Sequence, residues 1–463
     1  MNSLGAAPAA VSEADEQSQT AGRPDRRRLA IRGSVYELGG FGVAQGLRLG
    51  ANLVLTRILF PEAFGLIALV TILLQGLELL SDVGLNQAVI QHPRGEEEDF
   101  LNTVWTLKVI RGVLLFGVAL ALAAPAAWLY DEPQLRWLVV AGAFQTLLTG
   151  FISTSIYTLR RRVSVAPLAV MEVSGQTLAV GVMIGWALFH PSVWALLVGG
   201  IANTGFRVVV SHLLPVGYRN RLGWNAADRR EVLAFGKWIL GSTALFFVSR
   251  QFDRAFVGKV LGVGVLGVYS IAVMLAEFFS LLVSRLLDGV LYPIFGQVGR
   301  EGVAELRRAF YRTRLALDAG VLTAIGGLSA VGDLIVQILW DDRYLDAGWM
   351  FQVLCARVLL TVMVHPTDRC LMALGQTRYT FYRSAVRAAW TLLAIPAGWV
   401  FAGMEGLVWA TALTELPVLL VLWPGLRRAG ILRIERELAA PAFFAAGGLV
   451  ALALRPWLEA WIT

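Results

Sequence analysis

The sequence predicts an all-α polytopic membrane protein made of two pseudo-symmetric six-helix lobes, and three observations predict it. Of 463 residues, 57% are hydrophobic and 16% charged, against about 45–50% apolar and about 25% charged in soluble domains. Apolar runs of about 20 residues, the length that spans a bilayer, recur along the whole chain. Between them, arginines gather in every second connection. A mean hydropathy of +0.64 agrees. The net charge of +7 would suit nucleic acid, but the arginines punctuate apolar segments instead of forming one basic domain, which excludes that partner. Cys355 and Cys370, the two cysteines, would stand about 22 Å apart on one helix, too far to bridge.

In chain order, residues 1–32 read as a basic cytoplasmic tail. Met1–Gly22 is polar with no apolar run and is expected to be disordered; Arg26, Arg27 and Arg28 follow. No short apolar region with a cleavage site comes next, so the first helix is expected to be retained. An N-lobe over 33–214 holds spans at 34–58, 63–90, 103–124, 135–157, 166–188 and 192–214. A basic linker, 215–231, leads to a C-lobe over 232–424, with spans at 232–256, 265–296, 315–340, 347–374, 379–401 and 406–424. The remainder, 425–463, is a second basic linker and a thirteenth apolar run, 438–455, which either crosses or lies along the interface.

With the tail inside, six connections become cytoplasmic: 91–102, 158–165, 215–231, 297–314, 375–378 and 425–437, holding 18 arginines. The opposite loops hold or border only Arg57, Arg136, Lys259 and Arg343. Positive residues resist translocation, so the asymmetry sets the orientation. A shift of 202 positions aligns Arg48 with Arg250, Arg57 with Lys259, Leu59 with Leu261 and Gly65 with Gly267. Each half has an even helix count, so the repeat is of the parallel type, with a ligand site expected between the halves.

Ionisable residues inside spans are costly and usually face protein or a wet cavity. Lys108, Arg111, Lys237, Arg383 and Arg387 lie within a few turns of an arginine-rich end, where long side chains can snorkel. Asp253 with Arg254 or Arg250, and Asp288 with Arg285, could neutralise one another. Glu78 and Asp82 share a helix face at i, i+4 and are either paired with arginines or titrating. Arg48 and Arg250 lie well inside their spans and match across the repeat, which points to a cavity. Arginine keeps its charge when buried and presents a fork suited to phosphate oxygens. Trp105, Trp238, Tyr269 and Tyr292 could offer faces to sugar rings, although packing explains each one as well. No Walker loop, zinc spacing or nucleophile elbow is present in the sequence, so neither enzymatic activity nor a cofactor or metal is expected.

Two stretches carry a family resemblance. One is Leu80–Gln91, containing Ser81-Asp82-Val83-Gly84-Leu85-Asn86. The other begins at Phe235-Gly236-Lys237-Trp238 and continues through Ser249-Arg250-Gln251-Phe252-Asp253-Arg254, Gly258-Lys259-Val260-Leu261-Gly262 and Leu266-Gly267-Val268-Tyr269. From about residue 30 to 430 the chain resembles the polysaccharide-transporter branch of the multidrug/oligosaccharidyl-lipid/polysaccharide superfamily, which includes O-antigen and exopolysaccharide flippases. The resemblance implies a V-shaped pair of lobes in the bacterial inner membrane that turns polyprenyl-pyrophosphate-linked oligosaccharides over by alternating access. It also implies that Arg48, Arg250 and Arg254 hold the pyrophosphate, with Asp253 orienting them and Glu78 or Asp82 coupling an ion. Membrane lipids, and a glycan polymerase or assembly protein, are the other partners expected. A cation-coupled drug exporter on the same scaffold, and a membrane scaffold for glycan-assembly enzymes, are the competing readings.

Overall fold

The computed structural model describes residues 23–82, 84–162, 164–286 and 292–462, and every regular element among them is helical. Of the tail expected at 1–32, residues 1–22 lie outside the described residues and 23–32 form the start of the first helix instead; also outside are the side chains of Lys237, Trp238, Arg285, Asp288 and Tyr292.

In the first half, α1 (Arg23–Ile58) turns within two residues into α2 (Pro61–Leu80). A proline at the first position of α2 presets φ and lacks only an N–H that would be unpaired there anyway. The apolar run read as one span over 63–90 is in fact divided. Gly84 takes φ 67° and donates its N–H to Asp82 Oδ1 at 2.9 Å, a local turn that stops α2 and starts α3 (Leu85–Gln91). Next come α4 (Glu98–Tyr130), α5 (Pro133–Phe151) and α6 (Ser155–Arg161). The last two form one bent path, with a 55° break where 135–157 was expected to run straight. At the break Ser153 donates to Asn220 Oδ1 at 2.6 Å, so the linker after α8 staples it. α7 (Ala166–Phe189) and α8 (Trp194–Leu213) complete this half close to their expected bounds.

The second half opens with α9 (Ala226–Leu286), which runs through a turn at Gly262, φ 83°. A methyl group placed on Gly258 would stand 3.0 Å from Leu266. Eight residues of straight helix would separate those positions by about 12 Å, so the chain doubles back and α9 is two antiparallel arms. Short α10 (Tyr292–Val298) precedes α11 (Val303–Leu317), a π-helical turn at Asp318–Leu322, α12 (Thr323–Ala330) and α13 (Gly332–Leu339), the last bent by 69° from its predecessor. α14 (Asp346–Ala373) and α15 (Arg378–Ala412) follow. α15 doubles back at Ala402–Gly403, bringing Gly398 and Gly406 backbone to backbone. α16 (Glu415–Arg428), α17 (Ile434–Glu437) and α18 (Ala439–Ile462) end the chain. Among the described residues, eight helices are long and apolar enough to cross a membrane, or up to ten if each bent pair is one span.

α18 is one of the eight, and its packing shows how it lies. Glu437, just before it, pairs with Arg314 at 3.0 Å. Gly447 abuts Thr323, and Arg455 reaches Asp333 at 2.6 Å. Contacts advance together along both segments, so α18 runs parallel to the α11–α12 path from end to end.

Connections group at two ends. One is the arginine end, where Arg162 pairs with Glu96 at 2.9 Å and Arg221 N–H donates to Asn102 Oδ1 at 2.8 Å. The other is the short-loop end, where the halves meet. There Arg343 Nη2 donates to Thr56 O at 2.9 Å and Lys259 Nζ to Leu129 O at 2.6 Å. The largest buried apolar cluster joins Leu59, Phe64 and Leu69 to Val257, Leu266 and Tyr344. The other clusters each stay inside one half, around Phe295 and Phe310, around Phe100, and around Ile156.

The closest contact between the halves is reciprocal. A methyl on Gly65 would lie 1.8 Å from Val263 O, and one on Gly267 would lie 1.9 Å from Pro61 O. Both partners obey the 202-residue shift, 61 to 263 and 65 to 267. Only glycine lets these backbones touch.

Candidate functional site

The two arms of α9 explain how two arginines meet one carboxylate far along the chain. Arg250 lies 12 residues before the Gly262 turn and Glu277 lies 15 after it, so antiparallel arms bring them level, about 18–22 Å from the turn. Arg254 Nη2 approaches Glu277 Oε2 at 2.9 Å, and Arg250 Nη2 approaches Glu277 Oε1 at 3.4 Å. One carboxylate thus holds two guanidiniums. Arg254 Nε is buried with no hydrogen-bond acceptor among the described residues. An unpaired buried donor is costly unless a ligand or water meets it.

Asp253 does not sit between these arginines. It is 4% exposed, and its Oδ2 accepts from the Tyr269 hydroxyl at 2.8 Å. Tyr269 is itself fully buried. The carboxylate that pairs both arginines is Glu277, whereas Asp253, expected to orient them, is engaged by Tyr269. Spacing could not show this, because 27 residues and a chain reversal separate Arg250 from Glu277. The repeat held a signal nonetheless, since the 202-residue shift carries Gln75 onto Glu277.

A small cavity of about 50 Å³ adjoins the pair, lined by Arg250, Arg357 and Arg387 against Glu277 and Glu415, with His365 beside them. Arg387 meets Glu415 at 2.6 Å and Arg383 meets Asp368 at 2.6 Å. Asp368 and Glu415 are buried. Arg383 and Arg387 were expected to snorkel; they turn inward because carboxylates on α14 and α16 wait there. Lys108 is likewise 7% exposed, donating to Ile152 O at 2.8 Å. The break between α5 and α6 frees that carbonyl, and it gives the ammonium a partner closer than the headgroups. Arg357 and Arg387 were not picked as site residues, because loop distance alone cannot tell a cavity cation from a snorkelling one.

Two cavities of the first half carry the residues expected at the site. Glu78 and Asp82 line one of about 390 Å³, together with Gln75, Asn86, Lys108 and Arg111. Arg111 Nε donates to Ser81 Oγ at 3.0 Å, and Arg111 Nη2 also donates to Glu78 O. Arg48 lines a second, of about 350 Å³, with Arg160, Arg207 and Glu172. Glu172 stands 3.9 Å from Arg207, a loose contact. Leu281 of the second half lines both the Arg48 cavity and the Arg250 cavity. Arg48 and Arg250 therefore approach one seam from opposite sides and occupy neighbouring cavities, not a shared one. Among the described residues no group of three or more His, Cys, Asp or Glu could hold a metal ion.

At the arginine end, outside the spans, the hydrogen bond from Arg162 holds the Glu96 carboxyl below its usual range. At the short-loop end the hydrogen bond from Arg343 does the same to Asp341. Arg343 thus ties its own loop through Asp341 and reaches across to the end of α1.

Helices long enough to span a membrane, two halves joined at one end, and arginines at depth beside the seam define a multi-pass membrane protein with a transporter fold. The solved structures it resembles carry that fold. A lipid II flippase, MurJ, in an inward closed conformation aligns with TM-score 0.68 at 12% identity, over 91% of this chain and 92% of that one. An inward-facing multidrug resistance MATE family transporter of the MOP superfamily aligns with TM-score 0.62 at 13% identity, over 86% and 95%. In sequence, the model of the family described as polysaccharide biosynthesis protein matches residues 54–348. The chain belongs to that family. It is 22% identical to the lipopolysaccharide biosynthesis protein WzxC of Escherichia coli (strain K12), over 84% of this chain and 79% of WzxC. It is 24% identical to the succinoglycan biosynthesis transport protein ExoT of Rhizobium meliloti (strain 1021), over 79% and 73%.

Proposed function

We propose that this protein is a non-enzymatic flippase. It carries a polyprenyl-pyrophosphate-linked oligosaccharide, a precursor of lipopolysaccharide or exopolysaccharide, across the bacterial inner membrane. The observation that carries the reading is the arginine pair at depth, Arg250 and Arg254 on one carboxylate, with an unmatched buried N–H. Such a group favours a phosphate-bearing ligand. Family membership and the name of ExoT, a biosynthesis transport protein, support glycan precursors as the cargo. Arg48 contributes from the facing cavity as the halves move.

In this reading the lobes 33–214 and 232–424, joined by 215–231, rock about their seam and expose the site to each leaflet in turn. The arginine end faces the cytoplasm, with the N-terminus on that side, and the isoprenoid tail stays in lipid. A gradient drives the cycle through Glu78 or Asp82, and a glycan polymerase or assembly protein receives the product. A cationic drug would meet surplus arginine around Arg250, which disfavours the exporter reading.

The test is an Arg250→Ala protein. Membrane insertion persists and glycan export is lost; normal export would overturn the assignment. Dye efflux independent of glycan genes would point to the exporter instead.

A further inference from the structure

The cavity of about 390 Å³ in the first half lies apart from the arginines proposed to hold the pyrophosphate, yet polar contacts connect them. Arg254 Nη1 donates to Gln251 Oε1 at 3.2 Å. Gln251 Nε2 in turn donates to Gln75 Oε1 at 2.8 Å, across the seam. Gln75 lines the cavity. Two glutamines thus bridge the Arg254–Glu277 pair to this pocket.

Its lining excludes two ligand classes. Glu78 and Asp82 balance Lys108 and Arg111 in charge. A metal ion would face Lys108 and Arg111, and an anion would face two carboxylates. Both cations are also engaged structurally, Lys108 with Ile152 O and Arg111 with Ser81 Oγ and Glu78 O. A neutral ligand rich in hydroxyls fits what is left. Its O–H groups donate to the carboxylates in charge-assisted bonds, while the amides of Gln75 and Asn86 both donate and accept. The volume falls in the range of small-molecule pockets, about 300–1,000 Å³.

We propose that this pocket is the subsite for the sugar attached directly to the pyrophosphate, a neutral hexose or N-acetylhexosamine. The proposal rests on the flippase reading and deepens it. That sugar is bonded to the distal phosphate, so its site must adjoin the phosphate site. The Gln75–Gln251 bridge occupies that junction. Recognition of the first sugar then belongs to α2, α3, α4 and α5 of the first half, and phosphate binding to α9 of the second.

The experiment compares two probes on the purified full-length protein, farnesyl pyrophosphate and farnesyl-pyrophosphoryl glucose. The protein as it stands binds the sugar-bearing probe about tenfold or more tightly than the sugar-free one, the worth of one or two charge-assisted hydrogen bonds. Glu78→Gln and Asn86→Ala each reduce that ratio towards one, while Arg254→Gln weakens both probes together. A wild-type ratio retained in both first-half variants would overturn the subsite. So would equal binding of the two probes by the unaltered protein, which leaves the flippase reading standing. Binding of neither probe overturns that reading itself, and the subsite with it. Should the variants fail to assemble, Thr149→Cys supplies an independent measurement. The sugar-bearing probe shields this cysteine from maleimide and the sugar-free probe does not; equal labelling with both would overturn the subsite.

Discussion

Replacing Gly65 by alanine should force the two halves apart at the short-loop end. The new methyl would lie 1.8 Å from Val263 O and 2.7 Å from Val263 C, where side-chain carbons essentially never come within 3.0 Å. The obstacle is backbone and cannot swing aside, so α2 and α9 must separate by about 1.2 Å. Such an opening moves Arg343 Nη2 from Thr56 O, now 2.9 Å, and Lys259 Nζ from Leu129 O, now 2.6 Å, beyond hydrogen-bond reach. Both contacts are partly exposed, so solvent screening reduces each to about 1 kcal/mol. Losing both costs the closed arrangement about 2 kcal/mol, roughly a thirtyfold change in the ratio of closed to open. The assay is maleimide labelling of a cysteine at Val263, a position 8% exposed at the seam; Cys355 and Cys370 are buried and stay silent. Labelling should accelerate about thirtyfold in Gly65→Ala, and Gly267→Ala should match it through the reciprocal contact. Gly181→Ala, with nothing within 4 Å of its new methyl, should leave the rate alone. An unchanged rate in a folded Gly65→Ala protein would refute the reasoning.

Three further outcomes follow from the buried charges. Glu415→Gln leaves Arg387 without its partner at 12% exposure, which should cost about 3–5 kcal/mol; thermal unfolding in detergent should show it, and replacing both residues by leucine should recover most of the loss. Glu437→Gln strips the buried Arg314 of its 3.0 Å partner and should loosen α18, so limited proteolysis should cut faster at 429–433; protection equal to the unaltered protein would count against this anchoring. Asp341 has its pKa lowered by the Arg343 hydrogen bond, so its contribution to the closed end is complete above the usual carboxyl value of about 3.8 and is lost only as pH falls through the lowered one. Val263→Cys labelling should accordingly be flat between about pH 5 and pH 8, and a titration in that window would contradict the Asp341–Arg343 link.

Unbroken spans such as 166–188, which became Ala166–Phe189, were legible because a bilayer demands length and apolarity, and both are written residue by residue. Breaks inside spans were not. Asp82 and Gly84 stop α2 through one local hydrogen bond, which a count of apolar residues passes over. Arg250 and Arg254 stood out as charges in an apolar run. Glu277 could not be chosen among the intramembrane carboxylates, since contact across the Gly262 turn depends on how two arms align in depth. Lys108, Arg383 and Arg387 show the limit of loop proximity. Their inward partners, Ile152 O, Asp368 and Glu415, come from other helices.

The π-helical turn at Asp318–Leu322 has a rotational consequence. A π turn holds one residue more than an α turn, and each residue of an α-helix advances the facing direction by about 100°. Everything beyond Leu322 is therefore turned by about that angle from where α11 would have pointed it. Gly326 faces Phe444, and Thr323 faces Gly447, only in this rotated setting. The turn acts as an adapter between two registers, one that sends Arg314 to Glu437 and one that seats α18 glycine against α12. Deleting Gly320 would leave the path continuous and aim the wrong side of α12 at its neighbour.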